Sequence, residues 1–83
     1  MRVLYFAWLR QKIGTAEEDI APPPEVRDVA GLVRWLAQRS PAHALAFADP
    51  RQVRAAVNKD FAGPDHPVAA NDEVAFFPPV TGG

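Results

Sequence analysis

Prolines limit the fold of this chain more than any other feature of its sequence. Nine of the 83 residues are proline, and most of them stand in groups or close pairs. They are Pro22, Pro23, Pro24, Pro41, Pro50, Pro64, Pro67, Pro78 and Pro79. A proline interrupts a helix beyond its first turn and removes a hydrogen-bond donor from a strand. The chain is therefore expected to form one small domain built of short elements.

Apolar patterning between the prolines predicts several short strands and one main helix. The strands are expected over residues 2–9, 16–21, 53–58, 61–62 and 73–77. The helix is expected to begin at Asp28, whose carboxylate can cap the first turn. Its apolar residues recur at the spacing of one buried face: Val29, Leu32, Val33, Leu36 and Ala37. A short helical turn is expected over residues 43–47.

This order of elements predicts an α+β fold, with one main helix packed on one face of a mixed sheet of four to five strands. The second strand is expected at a sheet edge, paired with the first. If the first and last strands lie side by side in the middle of the sheet, the fold is a β-grasp.

Charge and composition exclude several classes of function. Nine Lys and Arg residues against ten Asp and Glu residues give a net charge of −1, so no basic surface for nucleic acid or anionic lipid is expected. The chain has no cysteine, which excludes disulfides, thiolate metal sites and a cysteine nucleophile. The apolar run near the N-terminus is too short to span a bilayer. We therefore expect a soluble, cytoplasmic protein with no nucleic-acid or membrane partner.

Side chains that could carry catalysis are few. His43 follows a proline that ends a helix and is expected at the surface, and His66 is expected in a turn. Ser40 has no base close to it in sequence and is expected to end the main helix. The acidic run at residues 17–19 is typical of a solvated strand, so no metal site is predicted.

The C-terminal end is the most informative segment. Two prolines end the last strand and favour an extended backbone, which two β-branched residues continue before a final pair of glycines. Fully extended, residues 78–83 reach about 20 Å, so this narrow tail could bring its α-carboxylate into a buried site of a partner. The alternative is a frayed terminus without a role. The chain thus divides into a domain, 1–77, and an extended tail, 78–83.

The last eight residues, FFPPVTGG, resemble the signature of the MoaD family, the ubiquitin-like sulfur carriers that form the small subunit of molybdopterin synthase. Further similar segments are VLYFAWLR followed by IGT, then AAVN, DHP and NDEVA. The resemblance implies a β-grasp fold and a reactive group that is the chain's own C-terminus. It also implies that this chain binds no cofactor itself and that catalytic side chains belong to its partners.

The resemblance further implies a sequence of reactions at Gly83. An ATP-dependent adenylyltransferase related to E1 enzymes activates the carboxylate, and a persulfide donor converts it to a thiocarboxylate. The tail residues Pro79, Val80, Thr81 and Gly82 enter the large subunit, in an expected heterotetramer of two small and two large subunits. Sulfur then passes to cyclic pyranopterin monophosphate, forming the dithiolene of the molybdenum cofactor.

Strand alternation supplies a second argument for a partner. Val3 and Tyr5 are expected on one side of the first strand and Phe6 on the other, while Phe76 and Phe77 face opposite sides of the last strand. Both faces are then apolar, but one helix covers only one of them, so the other is expected to bind a partner.

Four residues are expected in this interface from the resemblance: Phe6, Arg10, Phe61 and Phe77. The alternative is that Phe6 and Phe77 belong to the core. Two other functions remain open, a diglycine carrier for thiamine or cysteine synthesis and a β-grasp interaction module whose terminus is inert.

Overall fold

Five strands form one mixed sheet in the computed structural model, which describes residues 1–79. They are β1 (Arg2–Tyr5), β2 (Glu17–Asp19), β3 (Arg54–Val57), β4 (Asp60–Ala62) and β5 (Glu73–Phe77). The order across the sheet is β2-β1-β5-β3-β4. β1 and β5 pair in parallel at its centre, and the other neighbours are antiparallel. This arrangement confirms the predicted β-grasp, with β2 at an edge.

Three helices lie over the sheet: α1 (Ala7–Ile13), α2 (Val29–Ala37) and α3 (Pro41–Ala46). A 3₁₀ turn at Pro50–Gln52 leads into β3. α2 is the predicted main helix, and Asp28 caps it, because its Oδ1 accepts a hydrogen bond from the Gly31 N–H at 2.7 Å. α3 is the predicted short turn, extended at its start because Ser40 caps it and Pro41 occupies its first position.

The strand predicted over residues 2–9 is wrong in its second half. β1 ends at Tyr5, and Ala7, the first residue of α1, has a positive φ of 55°, which no continuing strand could adopt. Leu9 turns into the core and is fully buried. Gly14 ends the helix at a φ of 93°, and its N–H donates to the Arg10 carbonyl at 2.8 Å. A short apolar run fits a strand and a buried helical turn equally well, so periodicity alone did not separate them.

The core lies between the sheet and the helices. Val3, Tyr5, Val74 and Phe76 are the inward-facing residues of the two central strands, and each is at most 1% exposed. Phe76 packs edge-on against Phe47, with ring centroids 5.1 Å apart. The predicted facing of β1 and β5 is therefore confirmed.

No helix within residues 1–79 has both the length and the apolar character needed to cross a membrane.

Candidate functional site

The tail leaves the sheet from its central strand. Phe77 ends β5, and Pro78 and Pro79 follow as half-buried residues. Phe6, the residue after β1, lies beside this exit, since its N–H donates to the Phe76 carbonyl at 3.1 Å. Arg54 is opposite Phe77 across the β3–β5 pair. The predicted reactive and tail residues Val80, Thr81, Gly82 and Gly83 lie outside the described residues.

An aromatic pair, exposed Phe61 and half-buried Phe77, lies next to this exit on the face of the sheet away from the helices. Phe61 is 85% exposed and lies against Phe77, with ring centroids 5.9 Å apart. Together with Arg54 and Gly63 they line an open groove of about 410 Å³. Because the two rings adjoin each other, they form a continuous apolar patch, which is the kind of surface that a partner covers.

The four predicted interface residues are not all brought together. Phe61 and Phe77 are in contact, whereas Phe6 follows β1 on the other side of β5 and is 49% exposed. Arg10 is exposed on α1, about one helical turn beyond Phe6. Neither Phe6 nor Phe77 belongs to the buried core, so the core alternative is wrong for both.

Charge is distributed unevenly along the face opposite the helices. At the end far from the tail, Arg2 pairs with Glu17, with its Nε 2.6 Å from Oε2, and Glu73 lies opposite Arg2 in the β1–β5 register. At the tail end, the exposed aromatic residues are accompanied by one cation, Arg54. Apolar residues form the centre of protein interfaces and charged residues their rim, so the tail end is the better docking region.

A buried polar network on the helix side was missed by sequence reasoning. His43 is 7% exposed rather than at the surface, and its Nε2 lies 2.9 Å from Oε2 of Glu18. The same carboxylate oxygen accepts a hydrogen bond from the Tyr5 hydroxyl at 2.6 Å. Ser40 does have a base beside it, because its Oγ is 2.7 Å from His43 Nδ1. The expectations for His43 and Ser40 were therefore wrong.

Two sequence signals could have indicated this network. Glu18 alternates with Glu17 and Asp19, so its side chain turns inward while the other two stay exposed. The three carboxylates therefore do not converge on a shared cation. Ser40 precedes His43 by three residues, the spacing of a helix cap, and its Oγ also accepts the His43 N–H at 3.1 Å. His66 lies in a turn as predicted, and its backbone N–H donates a hydrogen bond to the Gly63 carbonyl at 3.1 Å.

The network joins β1, β2 and α3, and the pKa values of Tyr5 and Glu18 within it are shifted. Burial raises the pKa of the Tyr5 hydroxyl well above its ordinary value, and the hydrogen bond to Glu18 raises it further. Partial burial works to raise the pKa of Glu18, but hydrogen bonds from His43 and Tyr5 outweigh it and leave the pKa lowered. Ser40 is occupied as a helix cap, so we assign the network to stability rather than to nucleophilic catalysis.

Replacing Glu18 by Gln should lower the free energy of unfolding by about 1–2 kcal/mol near neutral pH, the scale of hydrogen bonds to a partly exposed charged group. Because the pKa of Glu18 is lower in the folded chain, its ionised form stabilises the fold above about pH 4.3, the ordinary pKa of Glu. That contribution is lost as the pH falls through the folded-state pKa, so wild type and variant should converge in acid. Urea unfolding across the pH range measures this.

Glu17→Gln is the matched control, because Glu17 lies on the same strand and is exposed beside Arg2. Its effect should be small at every pH, as for exposed ion pairs. An equal loss in both variants, or a Glu18→Gln difference that persists unchanged into acid, would contradict the role given to the network.

The whole length of this chain is similar to known proteins. Residues 3–83 match the family model described as the ThiS family. The chain belongs to the ThiS family. Two curated relatives of this ThiS-family chain are both named molybdopterin synthase sulfur carrier subunit. The protein from Escherichia coli is 42% identical over 83 residues, and the one from Haemophilus influenzae is 37% identical over 87 residues. In both cases the match covers 100% of this chain and 99% of the relative.

Solved structures support the same placement in the ThiS family. The putative molybdopterin converting factor, subunit 1, from Pyrococcus furiosus matches with a TM-score of 0.77 and 33% identity, covering 95% of each chain. SAMP1 from Haloferax volcanii matches with a TM-score of 0.75 and 25% identity, covering 100% of this chain and 98% of that one. The resemblance to the sulfur carriers is thus confirmed over the complete domain.

Proposed function

We propose that this chain carries sulfur for molybdopterin synthesis, as a thiocarboxylate on its C-terminal residue, Gly83. The observation that carries the proposal is the end-to-end match to two molybdopterin synthase sulfur carrier subunits. The exit of the tail beside exposed Phe61 and half-buried Phe77 supports it, since a carrier must dock while presenting its end.

The chemistry requires activation of the Gly83 carboxylate. The carbonyl carbon of a carboxylate reacts poorly with nucleophiles until one of its oxygens is converted into a good leaving group. An E1-like adenylyltransferase would supply this by transferring AMP from ATP and releasing pyrophosphate. The terminal sulfur of a persulfide then attacks the carbonyl carbon and displaces AMP. Cleavage of the sulfur–sulfur bond by a thiol leaves the thiocarboxylate, whose sulfur is a strong nucleophile.

The partner in the second half of the reaction is the large subunit of molybdopterin synthase. In the proposal, Phe6, Arg10, Phe61 and Phe77 contact that subunit, and the tail from Pro79 onward enters its active site. The assembly would hold two small and two large subunits. Two sulfur transfers to cyclic pyranopterin monophosphate then complete the dithiolene. In the proposal, the carrier binds no cofactor of its own and works in the cytoplasm, where ATP is available to the activating enzyme.

The proposal divides the chain into a docking domain, 1–77, and a tail, 78–83, that carries the reactive end. Pro78 and Pro79 lie at the boundary, directly after the central strand. Two consecutive prolines favour an extended backbone at the start of the tail.

Intact-mass measurement tests the proposal. After incubation with the activating enzyme, ATP and a persulfide donor, the chain should gain the mass difference between one sulfur and one oxygen atom. The control without ATP should remain unchanged. Addition of the large subunit and cyclic pyranopterin monophosphate should then return the original mass. A carrier for thiamine or cysteine synthesis would gain sulfur but keep it at this last step, and an inert module would gain none. Either result would contradict the proposal.

A further inference from the structure

An arginine lies beside the point where β5 ends. Arg54 is the first residue of β3 and is opposite Phe77, the last residue of β5, in the antiparallel register of these strands. Residues opposite each other on two paired strands project from the same face of the sheet. Because Phe76 points into the core, Phe77 and Arg54 both project from the face away from the helices. Arg54 and the aromatic pair of Phe61 and Phe77 therefore line one groove, the open one of about 410 Å³.

The side chain of Arg54 is exposed, and its guanidinium has no charged or aromatic partner within residues 1–79. The cations that form ion pairs in that part of the chain are Arg2, His43 and Arg51. The cations that lie over aromatic rings there are Lys12 and Arg39. The guanidinium of Arg54 is therefore available to a group outside the domain, at the edge of the only aromatic pair on this face that the described residues form.

The groove combines two kinds of surface, and each selects a different group in whatever covers it. The adjoining rings of Phe61 and Phe77 offer an apolar surface, which an apolar side chain covers best. The planar guanidinium of Arg54 matches a carboxylate, which it can bind through two parallel hydrogen bonds. Apolar contact beside this pair excludes water, and an ion pair is stronger where the local dielectric is lower. The groove is thus complementary to an acidic side chain that adjoins an apolar one.

We propose that Arg54 binds an Asp or Glu side chain of the large subunit, beside an apolar side chain that packs against Phe61 and Phe77. The inference rests on the proposed function, which supplies the large subunit as the partner. A fork of two hydrogen bonds fixes orientation as well as distance, so this contact sets how the end of β5 meets the partner. It also selects among partners, because a surface with a cation at this place would be repelled.

Titration of the complete chain with the large subunit tests the ionic contact. Arg54→Gln should weaken binding about tenfold, the effect of losing hydrogen bonds to a charged group. Arg54→Lys keeps the charge but not the fork, so it should recover part of this loss. Raising the salt concentration from about 0.1 to 0.5 M should weaken binding of the wild type more than binding of Arg54→Gln, because salt screens the ion pair.

Arg51→Gln is the matched control. It removes the same charge three residues earlier, at an exposed position where Arg51 already pairs with Asp49 of its own chain. This variant should bind the large subunit nearly as the wild type does. An equal loss in Arg51→Gln and Arg54→Gln would mean that only net charge matters, and the proposed contact would be wrong.

Carbodiimide cross-linking identifies the group that position 54 meets. The reagent joins a lysine amine to a carboxylate in contact with it, so the Arg54→Lys chain should become linked to an Asp or Glu of the large subunit. Peptide mass spectrometry locates the bond, and the wild type should show no link at this position.

Two results would overturn the inference and leave the proposed function intact. One is equal affinity of the wild type and Arg54→Gln for the large subunit. The other is a link from position 54 to the carboxylate of Gly83, which would identify the chain's own tail as the partner of Arg54. A wild-type chain that does not bind the large subunit at all would instead contradict the proposed function, and this inference with it.

Discussion

A chain that ends at Gly82, or that carries one added residue after Gly83, should show no adenylation by the activating enzyme. The proposed reaction uses the α-carboxylate of Gly83 itself, and neither variant presents that group at the correct position. The domain should remain folded, because both changes lie beyond β5 and the core is formed by residues up to Phe76. Exchange of labelled pyrophosphate into ATP measures the activation step.

Thr81→Ser is the matched control for this experiment, since it changes the tail but keeps its length and its free terminal carboxylate. It should exchange pyrophosphate at nearly the rate of the wild type. Wild-type exchange by the extended chain would instead mean that the activated group is elsewhere, and the proposed role of Gly83 would be wrong.

Phe76→Ala and Phe77→Ala should have opposite effects, although the residues are adjacent. Phe76 is fully buried and contacts the rings of Tyr5 and Phe47, so its truncation should cost about 3–5 kcal/mol of unfolding free energy. Phe77 lies on the other face against Phe61, outside the core, and its truncation should cost much less. Denaturant unfolding of the two variants measures this difference.

The affinity for the large subunit should show the opposite pattern, with the larger loss in Phe77→Ala. Phe77→Ala should weaken binding by about 2 kcal/mol, or roughly thirtyfold in Kd, as for an aromatic residue near the centre of an interface. Phe76→Ala, measured at a temperature where it is folded, should bind with nearly wild-type affinity. Calorimetric titration provides both values. A Phe77→Ala variant that unfolds readily, or one that binds as the wild type does, would contradict the assignment of this face.

The bounds of β5 and the start of α2 could be predicted from the sequence, because residues next to each element determine them. β5 runs over Glu73–Phe77 as expected, because a turn precedes it and Pro78 prevents its continuation. α2 begins after Asp28 because that side chain satisfies a free N–H of the first turn. The residues of β5 that face the core could also be predicted. Side chains alternate between the two faces of a strand, and the face with Val74 and Phe76 is the more hydrophobic one. The core-facing side of β1 was predicted by the same alternation.

Features that depend on distant contacts were not predictable. The burial of His43 depends on Glu18, which is 25 residues away, and on Tyr5 beyond it. Local patterns indicate that Glu18 faces inward and that Ser40 caps α3, but none of them brings Glu18 to His43. The start of α1 depends on the left-handed backbone at Ala7, which a non-glycine residue adopts only when its surroundings favour it. The proposed reactive role of the tail rests on the resemblance and on the scarcity of other candidate side chains, rather than on any contact among the described residues.

The position of β5 has a mechanical consequence for the proposed carrier, whose tail a partner would hold. β5 is hydrogen-bonded along both sides, in parallel to β1 and antiparallel to β3. A pull on the tail along the strand therefore loads both ladders in shear, and many hydrogen bonds must yield together. An edge strand pulled outward would instead peel open one bond after another. A partner can thus grip and draw the tail while the domain behind it keeps its shape.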